Sequence, residues 1–289
     1  MIKTGRNAPC ICGSEKKYKK CCLYRGVSVP VSGTDSKTSG NILVKTLTDE
    51  FFQPVRLYYI IHNEIGLQEI FNQLKCFEYD AILNDWTIRY SDEAANIGLK
   101  VPPEKIPPQA QPLIIATIFI ENKQAMLIDV RSIERAARVI EFINNHVPRE
   151  IAEVTHASIY NELITATNNN PESLRDIDYD ELFSDENITV IDPESHFLES
   201  ETLASQYEDK AEVFAIMTRR VQEKAKQPLP RAEKFPVYFY DEGIQHFETA
   251  FKMRQHIAAE HFFGNKDFSF YDLIHNLVSK NQDVLSNKT

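Results

Sequence analysis

The sequence predicts an α+β protein whose N-terminus is a small cysteine-rich module, and three observations carry that expectation. Stretches with strand-like and helix-like spacing are mixed through residues 55–156, which suits helices packed on one sheet. The apolar spacing of residues 201–226 and 241–279 is helical, so the last third should be mainly α. Four of the five cysteines, Cys10, Cys12, Cys21 and Cys22, fall within thirteen residues. The organisation read from this is a module at 1–25, a flexible linker at 26–40 and an α+β body at 41–289, with an acidic, loop-rich segment at 168–200.

The module cannot be held by its own core. A segment of about 20 residues buries too little apolar surface to fold alone, whereas four thiolates close in sequence suit a tetrahedral zinc ion that supplies the folding free energy. Gly13 follows the first cysteine pair and Pro9 precedes it, as a tight turn around a metal requires. Lys16, Lys17, Lys19 and Lys20 lie between the pairs, and their charge favours thiolate over thiol. Disulfides, a redox-active pair and iron are the competing readings. The N-terminus has no apolar run of secretory type, so a reducing, cytoplasmic setting is expected, which disfavours disulfides. No Cys-x-x-Cys stands at a strand–helix junction.

The stretch Thr4-Gly-Arg-Asn-Ala-Pro-Cys-Ile-Cys-Gly-Ser-Glu-Lys-Lys-Tyr-Lys-Lys-Cys-Cys22 resembles the SEC-C motif, the zinc-binding tail of the bacterial preprotein translocase motor ATPase that is also attached to many other proteins. The resemblance covers about nineteen residues of 289. It departs from the usual pattern at Ala8 (usually Asp), Ile11 (usually Pro) and Glu15 (usually Gly), and none of these removes a ligand. The resemblance implies that Cys10, Cys12, Cys21 and Cys22 bind Zn2+. It also implies a partner surface that docks on an export chaperone or the ribosome, and Arg6, Lys16, Lys17, Tyr18, Lys19 and Lys20 are the residues expected to form it.

Charge agrees with an acidic partner. Residues 1–25 hold seven basic residues and one acid, about +6, while the whole chain is −10, leaving about −16 on the remainder. Such asymmetry suits a basic head meeting an acidic protein surface or rRNA, and it argues against duplex DNA binding by the body. Of residues 28–39, ten are polar, Pro or Gly, a composition that makes a tether.

In the body, residues 42–52 are expected to form a short helix. Residues 55–61, rich in β-branched and aromatic side chains, read as a strand, and 64–74 as a helix. Strands are expected at 77–79 and 86–90. Five prolines make 99–112 a loop. Two apolar arms, 112–120 and 124–130, flank Glu121-Asn122-Lys123 and read as a hairpin. Ser132 should cap a helix through 146 with Ile133, Ala136, Ala137, Ile140 and Ile143 inward. A strand at 151–156 and a short helix at 158–165 follow. From Glu172 to Glu212 there are fourteen acids and two basic residues. The last third should hold helices over 201–226, from Asp241 to about 262, and from Ser269 to 279, with an extended piece at 237–240. No eighteen-residue apolar run exists, so no membrane span is expected.

The sequence nominates no catalytic residue. It lacks a Gly-rich phosphate loop and a nucleophile elbow. Asp176, Asp178, Asp180 and Glu181 lack the calcium-loop spacing. Asp129 at a strand end and His246, His256, His261 and His275 are weak pointers to a nuclease or hydrolase. Cys76, alone among apolar residues, reads as a small buried hydrophobe. The function expected is a zinc-dependent protein-interaction adaptor. The alternatives are an enzyme targeted by the zinc head, or a stress or defence component that contacts nucleic acid.

Overall fold

A computed structural model describes residues 41–167, 177–207, 209–240 and 243–286, so the cysteine-rich module and the linker lie outside the described residues. The chain runs through β1 (Asn41–Leu43), β2 (Val55–Ile61), α1 (Glu64–Gln73), β3 (Phe77–Asp80), β4 (Asp85–Arg89), β5 (Ile114–Glu121), β6 (Ala125–Val130), α2 (Ile133–His146), β7 (Ala152–Tyr160) and β8 (Thr165–Thr167). It continues through α3 (Tyr179–Leu182), β9 (Ile188–Val190), α4 (Pro193–Ser205), α5 (Lys210–Ala225), β10 (Ala232–Pro236), α6 (Gln245–Phe262) and α7 (Phe270–Ser286). The fold is α+β.

Among the described residues, eight strands form one sheet in the order β3-β4-β5-β6-β2-β7-β10-β9. All its pairings are antiparallel except β10 with β9. β2 sits inside it, with β6 on one side and β7 on the other. Its alternation explains why. Val55, Leu57, Tyr59 and Ile61 join the main core, while Arg56 and Tyr58 face the opposite side, as period-2 geometry requires. The β5–β6 hairpin turns through Asn122 and Lys123, both at positive φ (49° and 62°). Among the described residues, β1 pairs with β8 as a separate two-stranded ribbon.

The helices α1, α2 and α6 cover one face of the large sheet. Leu67 and Phe71 of α1, the stripe Ile133, Ala136, Ala137, Val139, Ile140, Phe142 and Ile143 of α2, and Phe247 and Phe251 of α6 all enter the same core. Local chemistry starts α1, α2 and α7 where expected. Asn63 accepts from the Gly66 amide and Ser132 from the Arg135 amide, satisfying donors that a helix N-terminus leaves open. Ser269 and Asp272 bond each other's backbone amides at the start of α7, a capping box. Gly264, at φ 104°, lets the chain leave α6.

Four expectations are corrected. Residues 42–52 are not a helix. Asn41–Leu43 is a strand, and the Thr46 and Thr48 hydroxyls bond the Glu50 carboxylate instead, the competition by which short polar side chains disfavour helix. Asp49 turns this loop at φ 66°. The helix at 158–165 is absent. β7 runs on to Tyr160 because β2 and β10 pair with it on both sides. The helix at 201–226 is two helices, since Asp209 caps a new start by accepting from the Ala211 amide. The strand β10 was not expected; it runs directly into the extended piece expected at 237–240, where the Val237 amide still donates to the Thr155 carbonyl and Tyr240 bridges to Gly243. Within the segment 168–200, residues 177–200 are more ordered than a loop and contain α3, β9 and the first part of α4. Asp241 lies outside the described residues.

Phe71 is fully buried and stacks on Phe77 at 4.3 Å between ring centroids. Phe71→Ala should lower unfolding free energy by about 3–5 kcal/mol, whereas truncating the exposed Ile65 should change it by less than about 0.5 kcal/mol. Urea denaturation of the two variants checks this, and equal midpoints would contradict the placement of the core.

Candidate functional site

The nominated metal ligands Cys10, Cys12, Cys21 and Cys22, and the nominated partner residues Arg6, Lys16, Lys17, Tyr18, Lys19 and Lys20, lie outside the described residues. Their chemistry remains that of the donor set, four thiols in thirteen residues with basic side chains between the pairs, which fits a tetrahedral sulfur site. The weaker pointers all lie in the body, and most of them are in described parts.

Asp129 is the partner of a buried arginine. Arg56 on β2 and Asp129 on β6 stand at opposite positions of the ladder, so their side chains leave the same face of the sheet. The guanidinium donates to both carboxylate oxygens, at 2.6 and 2.8 Å, the bidentate geometry that makes such pairs strong. Asp180 of α3 adds a second carboxylate at 2.9 Å. Burial opposes the charge on Arg56, but Asp129 and Asp180 outweigh it and hold its pKa above the ordinary arginine value. The aspartate is therefore engaged as a counterion, which removes it as a pointer to nuclease chemistry.

The acids of the 176–181 stretch have structural duties as well. Asp178 caps α3 by accepting from the Asp180 and Glu181 amides, and Asp176 lies outside the described residues. The histidines are not gathered. His261 Nε2 is 2.7 Å from the Phe268 carbonyl, and His256 Nε2 is 3.8 Å from Glu260. His246 lies against the Tyr240 ring and His275 against the Tyr271 ring. Among the described residues, no group of three or more His, Cys, Asp or Glu is placed to hold a metal ion. Cys76 is fully buried, and burial together with neighbouring Glu93 pushes its thiol up to about 12, so it is a poor nucleophile at neutral pH.

One constellation was missed by the sequence reading. A cavity of about 440 Å³ opens between the 45–51 loop, the 98–100 loop, the first turns of α2 and the middle of α6. Glu50 lines it at only 4% exposure. Its Oε2 accepts from the hydroxyls of Thr46 and Thr48 and stands 3.4 Å from Nε of Arg135, itself 1% exposed. Its Oε1 has no hydrogen-bond partner. Glu134 lines the same cavity, with its carboxyl raised by burial and by the charge of Glu50, against the lowering effect of Gln255 and Lys252. The signal in the sequence was Arg135, a charge set in the otherwise apolar stripe of α2. A buried arginine demands a buried acid, but its partner lies 85 positions away, in a loop misread as helix.

Removing one member of the Arg56–Asp129 pair strands the other. Asp129→Ala should cost about 3–5 kcal/mol, and the double variant Arg56→Met/Asp129→Leu should recover most of that loss. Thermal and urea unfolding check this. A double variant no more stable than the single one would show that the pair is not the source of the loss.

Comparison with known proteins finds relatives of the N-terminal region. The curated relatives that match include a UPF0225 protein of Vibrio cholerae serotype O1, 81% identical over 21 residues, which is 7% of this chain and 14% of that protein. A UPF0225 protein of Vibrio vulnificus is 76% identical over 21 residues, 7% of this chain and 13% of its own length. The match therefore spans about a seventh of these relatives. No solved structure matches the chain. The model of the SEC-C motif family matches residues 6–23, so the cysteine-rich stretch of this chain is a SEC-C motif.

Proposed function

We propose that the protein is an interaction adaptor whose SEC-C motif, folded around Zn2+, docks an acidic partner while the α+β body serves a second contact. The observation that carries this reading is the motif itself, with all four cysteines present and a charge of about +6 on residues 1–25 against about −16 on the remainder. Cys10, Cys12, Cys21 and Cys22 would hold the metal, and Zn2+ bound there would supply the folding free energy that so short a segment lacks. Lys16, Lys17, Lys19 and Lys20 would lower the thiol pKa values toward thiolate and present ammonium groups to the partner. Arg6 and Tyr18 extend the same surface. The partner classes that the motif suggests are an export chaperone with an acidic surface and the ribosome through rRNA.

No helix among the described residues is long and apolar enough to cross a membrane, and the adaptor reading places the protein in the cytoplasm with the biogenesis machinery. Lysine–phosphate or lysine–carboxylate contacts of this kind weaken with salt.

The test is affinity capture from lysate with the intact chain and a Cys10→Ser/Cys12→Ser variant, recording zinc content on both. Ribosomes or an export chaperone should be retained by the zinc-loaded intact chain, lost with the variant and lost as salt is raised. Partners unchanged by the substitutions would make the module a structural staple and overturn the adaptor reading.

A further inference from the structure

The outward face of α4 inverts the usual pattern of a surface helix. Leu203 is turned inward and buried, while Glu194, Phe197, Leu198 and Glu201 recur at the spacing of the opposite helix face. Phe197 and Leu198 are 62% and 61% exposed, and neither joins a hydrophobic cluster among the described residues. Glu194 and Glu201 are exposed, and their carboxylates make no hydrogen bond or ion pair among the described residues. Two acids thus bracket two large apolar side chains over about 10 Å of helix.

The surroundings carry one sign of charge. From Asp178 to Asp209 the chain has eleven acids and neither Lys nor Arg. Asp178, Asp192 and Asp209 serve as helix caps and Asp180 meets Arg56. Asp185 and Glu186 stand exposed just before β9. Arg219 and Arg220 of the neighbouring α5 make no ion pair with Glu194 or Glu201. A surface of this kind fits a segment in which cations flank an aromatic ring.

The same chain supplies one. Lys16-Lys-Tyr-Lys-Lys20 sets four cations around Tyr18, and in extended form it spans about 13 Å. The linker at 26–40 is long enough to deliver it, reaching about 50 Å at full extension and about 20 Å on average. It ends at β1, and the cluster of the β1–β8 ribbon shares Ile164 and Ile177 with the cluster of α3 and β9. Ile191 and Asp192 alone separate β9 from α4. A tether of this length holds the segment at an effective concentration near the millimolar range, so a weak contact is enough to keep it docked.

We propose that the outward face of α4 is a docking site for the basic segment 16–20 of the same chain, with Tyr18 against Phe197 and Leu198 and the lysines meeting Glu194 and Glu201. Docked in this way, the segment is covered where an external partner would touch it, so body and partner compete for the same lysines. The docking needs no external partner and does not rest on the adaptor reading.

The experiment treats the zinc-loaded full chain with a carbodiimide, which joins a lysine amine to a carboxylate in direct contact. Mass spectrometry of the digested product locates the links, and an equal mixture of light and heavy-isotope chains separates links within one chain from links between copies. At low salt, lysines of the 16–20 segment should be joined to Glu194 or Glu201 within one chain. Phe197→Ser/Leu198→Ser keeps both acids and should lower the yield about tenfold. Ile65→Ser, at an exposed site on α1, should leave it unchanged. Salt at about 1 M should lower it in the intact chain. Circular dichroism checks that the variants are folded, and if the double variant is not, Phe197→Ser alone takes its place. Equal yields from the intact chain and the folded α4 variant, equal linking of these lysines to acids elsewhere on the body, or links found only between light and heavy chains would overturn the proposal, the last by assigning the face to a second copy.

Discussion

The body depends on the burial of α2. Eight of its fourteen residues are buried, Arg135 among them, and the helix lies over β2, β5, β6 and β7. Each aliphatic side chain fully removed from water contributes roughly 1.5–3 kcal/mol before entropy is counted. Other elements take their places from it. α6 packs on its flank, Phe142 approaches Phe77 of the outer strand β3 at 6.3 Å, and the 45–51 loop is drawn in because Arg135 needs Glu50. The cavity exists because α2, α6 and two loops meet around charges that cannot be collapsed into an apolar seam.

The opposite face of the sheet follows different rules. It carries Arg56, Asp129, Tyr58, Ser158 and Lys234, with the Tyr58 hydroxyl 3.0 Å from Ser158 Oγ and the Lys234 ammonium 3.9 Å from the centre of the Tyr58 ring. Burial lowers the Lys234 pKa, and burial and then Lys234 lower that of His156. Tyr179 of α3 and Phe183 just after it stand against the guanidinium of Arg56, at 6.0 and 5.9 Å. The acidic segment thus contributes a counterion, an aromatic cover and helix caps, which accounts for part of its negative charge without a metal.

Much of this was legible in the chain because local signals and packing agreed. Residues 55–61, the β5–β6 hairpin, the Ser132 cap and the Ser269–Asp272 box each carry their own instruction. The failures are places where a distant partner overrode a local preference. β7 runs beyond its expected end because two neighbours supply its hydrogen bonds, and 42–52 is extended and looped because Thr46 and Thr48 turn to Glu50. The cavity was invisible for the same reason, since Glu50, Glu134 and Gln255 are brought together by tertiary structure alone. The cysteine-rich stretch is the reverse case. Its meaning is wholly local, so the sequence identified it without help from the fold.

The Arg56–Asp129 pair also bears on how the sheet reaches its correct alignment. In a pleated strand, sliding β2 by one residue exchanges its two faces. Val55, Leu57 and Tyr59 would leave the core, and Arg56 would be driven beneath α2, where no acid on β6 stands opposite it. Apolar side chains alone penalise such a slip gradually, because Ile and Leu fit many holes. A charge that has one place to go penalises it abruptly. The ion pair therefore acts as a keyed joint in the middle of the sheet, rejecting misaligned pairings and leaving the native one as the arrangement in which both strands close.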